Sequence, residues 1–134
     1  MEVKKAPQDL LDKLLEEIPE DDEGELRDRY EEEQRLLCSA DHLASLESEV
    51  DNWTTWRTEK HLYLCHLAED DRYALVILDW EDNWGAWVWD APYVVSGAPG
   101  PEAASAALVK AYVAANLREG DDSDWAEWLR QLRG

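Results

Sequence analysis

Six consecutive apolar residues, Tyr73-Ala-Leu-Val-Ile-Leu78, constrain the fold more than any other part of the sequence. Side chains alternate between the two faces of a strand, so an unbroken apolar run is typical of a strand that is buried on both faces. Such a strand must lie inside a sheet and must have a layer of structure on each side. The segment therefore predicts a covered sheet at the centre of the fold.

Two more strand segments flank this one. His61–Leu67 precedes it and Trp84–Trp89 follows it, and both connections are short and acidic. Short connections join antiparallel neighbours, which predicts a three-stranded meander. Tyr93–Val95 adds a fourth strand at the edge, where Pro92 is tolerated because an edge position needs no backbone N–H donor.

The first 58 residues are predicted to be mostly helical, because apolar residues recur there every three or four positions. Pro7 suits the first turn of the first helix. An acidic linker occupies residues 19–25, and the helical pattern then continues through Leu43 and Leu46.

The end of the chain predicts two more helices. An Ala-rich helix extends from Ala103 to Leu117. Asp124 is predicted to cap the last helix, with Glu127 as its capping-box partner and with Trp125 and Trp128 in its apolar stripe.

The predicted fold class is therefore α+β, with N-terminal helices, a central three- to four-stranded antiparallel meander and two C-terminal helices. The predicted organisation is a helical region at 1–58 and an α+β core at 59–134, within one compact domain.

The charge excludes several classes of function. The chain of 134 residues carries 32 acidic and 13 basic side chains, which gives a formal net charge of −19. Direct binding to nucleic acid and adsorption to anionic membranes both need Lys and Arg, which are scarce here. The acidic N-terminal stretch does not resemble a signal peptide, and no apolar run reaches the roughly 20 residues of a membrane span. We therefore expect a cytoplasmic protein that binds neither nucleic acid nor membranes.

The histidines and cysteines do not predict a metal site or a cofactor. His61 and Cys65 share one face of their predicted strand, whereas His66 points away. A site that joins Cys38, His42 and Cys65 is conceivable, but the chain lacks the tight pairs that zinc sites usually show. The two cysteines are far apart, which is typical of a protein in a reducing compartment.

The same residues do not predict an enzyme. Adjacent Cys65 and His66 diverge on a strand, so they cannot act together as nucleophile and base. Asp79 and Glu81 share a strand face, and with the tryptophans at 80–89 they define one alternative function, a small hydrolase with a Trp-lined carboxylate site.

The acidic surface predicts a protein partner instead. A folded chain of this length is about 36 Å across, and that length of duplex DNA carries roughly 20 charges. A net charge of −19 is comparable, so the favoured function is a small acidic inhibitor that occupies a basic, nucleic-acid-binding surface of a partner protein. Phage-type inhibitors, antitoxins and immunity proteins have this physical character.

The residues predicted to bind the partner combine acidic clusters with tryptophans, which are favoured at interfaces. They are Glu31, Glu32, Glu33, Asp82, Trp84, Trp87 and Asp121. The first alternative, ahead of the small hydrolase, is an adaptor whose N-terminal leucine stripe, beginning at Leu10, docks into a groove of a partner.

Overall fold

The computed structural model describes residues 1–10, 41–50, 56–67, 69–81 and 86–134. These residues form an α+β fold in which a five-stranded antiparallel sheet is followed by two helices. The elements are β1 (Glu2–Lys5), β2 (Asp41–Val50), β3 (Trp56–Leu67), β4 (Arg72–Glu81), β5 (Ala86–Ser96), α1 (Pro101–Asn116) and α2 (Asp124–Arg133). The strand order across the sheet is β1-β5-β4-β3-β2.

The predicted meander is confirmed as β3, β4 and β5, with one correction at its end. The predicted third strand and the predicted edge strand are a single strand, β5. Leu75 pairs with Tyr93 and Ile77 pairs with Asp90, so one residue of β4 lies opposite two residues of β5. Pro92 lies in this irregularity, where a strand tolerates a residue without an N–H donor.

The helix predicted over residues 41–50 is wrong, because this segment is strand β2. β2 pairs with β3, and its register shifts between His42 and Ala44. A bulge places successive residues on the same side of a strand, and Leu43, Ala44 and Leu46 all pack against the main core. The bulge therefore produces the spacing of three that resembles a helical pattern.

Strand β1 is also absent from the sequence-based prediction. It forms the other edge of the sheet, where Val3 pairs with Val95 of β5. Residues 8–10 are helical, as expected for a helix that begins near Pro7. The rest of that helix, the acidic linker at 19–25 and the helical pattern up to residue 40 lie outside the described residues. Of the predicted N-terminal helical region, β1 and β2 thus belong to the same sheet as the predicted core.

The central strands are buried on both faces, as the apolar run in β4 predicts. On one face, called the helix face, Leu75 packs with Leu62 beneath α1 and α2. On the opposite face Leu78 is fully buried, and Leu10 packs against Ala74. Burial of each leucine side chain contributes about 2 kcal/mol to the free energy of unfolding, so the layers on both faces stabilise the sheet.

The two C-terminal helices occur where the sequence predicts them. α1 begins at Pro101, whose missing N–H costs nothing in a first turn. α2 is capped by Ser123, whose side-chain oxygen accepts a hydrogen bond from the backbone N–H of Ala126 at 3.2 Å. The predicted cap Asp124 is instead the first helical residue, because the Ser123 hydroxyl is already in the capping position.

Neither α1 nor α2 combines the length and the apolar character that a bilayer-crossing helix needs.

Candidate functional site

The connection between α1 and α2 lies at one end of the sheet, named here the connection end. Trp125, in the first turn of α2, has its ring 4.4 Å from Nζ of Lys60 on β3. The same Nζ donates to Oδ2 of Asp79 on β4 at 3.0 Å. These contacts fix the start of α2 above the end of β4. The opposite end of the sheet, named the turn end, carries the β3–β4 turn.

Five carboxylates lie in the segment Glu119–Glu127, named here the acidic connection, and no basic residue interrupts them. Four of the five residues are exposed, and Asp121 is half-buried. Glu127 is 3.5 Å from Arg130 on the next turn of α2, which is an exposed pair of little energetic value. Arg118 and Arg130 lie close enough to act on Asp121, but the five carboxylates outnumber them, so the acidic connection presents a net negative charge.

Asp121 has a structural task within the acidic connection. Its Oδ1 accepts a hydrogen bond from the backbone N–H of Ser123 at 2.9 Å. Hydrogen bonds from the Ser123 backbone and side chain lower the pKa of Asp121, so its carboxylate is ionised at neutral pH. Ser123 caps α2, and Arg130 donates to the backbone oxygen of Asp121. Asp121 therefore holds the backbone of the connection in place at the start of α2.

Below the acidic connection, a part-buried cluster anchors the helices to the sheet. The ion pair between Lys60 and Asp79 lies beneath Trp125, which also contacts Tyr112 edge-on with ring centroids 6.0 Å apart. Burial, followed by the charge of Asp79 and then Asp90, raises the pKa of Tyr112, which stays a neutral phenol. In this cluster Lys60 neutralises the charge of Asp79.

Most residues predicted to bind a partner cannot be placed. Glu31, Glu32, Glu33, Asp82 and Trp84 lie outside the described residues.

The structure places two of the predicted residues. The backbone of Trp87 is described, and it pairs with Trp80 on β4, one residue beyond Asp79. Trp87 and Asp121 therefore belong to the same end of the sheet. Among the side chains that the structure describes, Met1 is the one large hydrophobic residue that is strongly exposed.

The alternative functions meet specific obstacles in the described residues. Asp79, half of the carboxylate pair of the hydrolase alternative, is held by Lys60. Leu10, the first leucine of the adaptor's stripe, is buried against Ala74 and Val94 within the chain itself. Both residues make contacts within the fold.

A histidine cluster on the opposite face of the sheet was missed by the sequence analysis. His42 Nε2 lies 3.3 Å from Nδ1 of His61, and Nε2 of His61 lies 3.1 Å from Oε1 of Glu59. Glu59 is 8% exposed and His61 is half-buried, whereas His42 is exposed. Burial, and then the neighbouring His61, lower the pKa of His42. No sequence signal shows this cluster while β2 is taken as a helix, because its position depends on the pairing of β2 with β3.

The cysteine-nucleophile hypothesis and the Cys38–His42–Cys65 metal hypothesis can be compared with the structure only at His42 and Cys65. Cys65 is a free thiol whose pKa burial raises to about 11, which leaves little reactive thiolate at neutral pH. Cys38 lies outside the described residues. Within those residues, no group of three or more His, Cys, Asp or Glu side chains is arranged to hold a metal ion.

A groove of about 800 Å³ runs along α1 and α2. Its lining is mainly apolar, with contributions from Leu43, Val109 and Leu132. Glu102, Lys110 and Arg133 also line it, so its charged lining is mixed in sign.

Comparisons of the chain with protein-family models, with curated proteins and with solved structures find no match.

Proposed function

We propose that this chain is a small acidic inhibitor that binds a basic, nucleic-acid-binding surface of a partner protein, in the manner of phage-type inhibitors, antitoxins and immunity proteins. The proposal assigns no catalytic step, no cofactor and no direct contact with nucleic acid. It concerns occupancy: while the acidic protein is bound, the partner's basic surface is not free for its nucleic acid.

The acidic connection is the observation that carries this proposal. Its five carboxylates lie within nine residues, and four of the five acidic residues are exposed. Charges that protrude at one end of a fold steer a partner of opposite charge and fix its orientation. The net charge of −19 supports the same conclusion at long range, because it repels nucleic acid and attracts basic proteins.

The rigid base of the connection supports the proposal further. α2 is capped by Ser123, and Lys60, Asp79 and Trp125 fasten its first turn to the sheet. A binding surface that is ordered before contact loses less conformational entropy on association. The acidic carboxylates are thus held on a preformed support.

The experiment is capture of a partner on the immobilised full-length chain, from a lysate of the organism that encodes it, at about 0.1 M and about 1 M salt. The screening length falls from about 10 Å to about 3 Å over this range. We expect a basic, nucleic-acid-binding protein to be retained at low salt and lost at high salt. Retention of the same protein to the same extent at both concentrations would contradict the proposal.

A further inference from the structure

Two histidines on neighbouring strands bring their ring nitrogens together. His42 lies at the bulge of β2, and His61 lies on β3. Nε2 of the first is 3.3 Å from Nδ1 of the second. We propose that this pair is a binding site for a divalent transition-metal ion, with Zn²⁺ as the reference case and with solvent completing the coordination.

The separation of the two nitrogens matches that of two ligands on one ion. Zinc binds histidine nitrogens at about 2.0–2.1 Å, so two such ligands at a tetrahedral angle lie about 3.4 Å apart. The observed 3.3 Å is close to this value, and the two rings, whose centroids are 5.5 Å apart, must turn so that both lone pairs converge on the ion. His42 is exposed, so an ion can reach the pair and the ring can turn to receive it.

Glu59 supplies the support that metal-binding histidines usually have. A carboxylate only accepts hydrogen bonds, so the contact at 3.1 Å places the proton of His61 on Nε2. Nδ1 of His61 then carries the lone pair that faces His42. A carboxylate behind the histidine fixes the tautomer and strengthens the ligand.

Binding needs only a change of tautomer at His42. In the hydrogen-bonded pair, Nε2 of His42 donates its proton towards Nδ1 of His61. When an ion takes the place of that proton, Nε2 becomes a ligand and the ring of His42 carries its proton on Nδ1. The net number of protons on the pair does not change.

The donor atoms select the class of ion. Imidazole nitrogens suit Zn²⁺, Ni²⁺ and Cu²⁺, whereas Mg²⁺ and Ca²⁺ prefer oxygen ligands. Two protein ligands leave the remaining positions to water, so we infer an exchangeable site and not one on which folding depends.

The test uses the full chain, and its three histidines act as separate reporters. The ring ¹⁵N signals are followed by NMR during titration with ZnCl₂, and MgCl₂ at equal concentration controls for binding to carboxylates. We expect Zn²⁺ to shift the ring nitrogens of His42 and His61. His66, which is paired with Asp71 at 2.9 Å, is expected to stay unchanged. Mg²⁺ should shift none of the three.

A pair of variants connects the signals to binding. Saturating Zn²⁺ should raise the Tm of the wild-type chain and of His66→Ala by at least about 3 °C. His42→Ala should abolish this rise, and because His42 is exposed this variant should fold normally. The proposal is overturned if Zn²⁺ leaves the rings of His42 and His61 unshifted, if it shifts all three histidines alike, or if the rise in Tm survives in His42→Ala.

Discussion

Replacement of Leu75 by Ala is expected to lower the free energy of unfolding by about 3–4 kcal/mol. Leu75 has no exposed surface and lies on the helix face of β4, where it packs within the main core. Its neighbours across the sheet are Leu64 and Tyr93, so the cavity left by truncation is enclosed on both sides. Urea unfolding followed by circular dichroism measures the change, and the slope of free energy against urea should stay the same.

Leu132→Ala is the matched control for Leu75→Ala. Leu132 lies near the end of α2 and is only partly buried at the margin of the same core. The same truncation there should cost about 1 kcal/mol, because less apolar area is lost and solvent fills the space. Equal losses in the two variants would show that β4 is not the centre of the core.

Neutralising two exposed carboxylates of the acidic connection should weaken binding of the captured partner about 5- to 10-fold at about 0.1 M salt. The variant is Glu119→Gln with Asp122→Asn, and it spares Asp121, which orders the start of α2. At about 1 M salt the difference from wild type should nearly vanish, because the remaining charges are screened. Dissociation constants measured with the purified partner at both salt concentrations test this expectation.

The matched control removes the same charge from the turn end of the sheet. Glu2→Gln with Glu69→Gln changes two exposed residues, one opposite Ser96 at the end of β5 and one in the β3–β4 turn. We expect less than a twofold effect on binding, since the net charge changes equally but the contact surface does not. If both double variants weaken binding equally, the net charge acts alone and the acidic connection is not the binding surface.

The sequence predicts those parts of the fold in which local pattern and final environment agree. The apolar run in β4 predicts a strand that is buried on both faces, and both faces of β4 are buried. The Ala-rich segment predicts α1 to within two residues at each end. In β4 and in α1, the same local pattern of residues predicts both the type of element and its burial.

The failures occur where tertiary pairing overrides local pattern. Leu43 and Leu46 have helical spacing, yet a bulge and the free edge of β3 make their segment a strand. β1 is four residues long and has little pattern of its own, so only its pairing with β5 reveals it. Contacts between distant segments cannot be read from spacing alone.

The candidate site was predictable to a different degree. The acidic connection is visible in the sequence as a charge cluster, and the predicted binding residues include Asp121 from it. Its bond to Ser123 was not foreseen, because the cap of α2 was assigned to Asp124. The pairing of His42 with His61 required the register of β2 on β3. The contributions to binding of all seven predicted residues stay predictions: Glu31, Glu32, Glu33, Asp82, Trp84, Trp87 and Asp121.

Competition with duplex DNA tests the central claim most directly. The captured partner is held on the immobilised chain at about 0.1 M salt and then challenged with duplex DNA at increasing concentration. If the acidic protein occupies the partner's nucleic-acid-binding surface, DNA should release the partner in a saturable manner, and excess acidic protein should in turn displace DNA from it. A partner that binds DNA and the acidic protein at the same time, in a ternary complex, would contradict the claim.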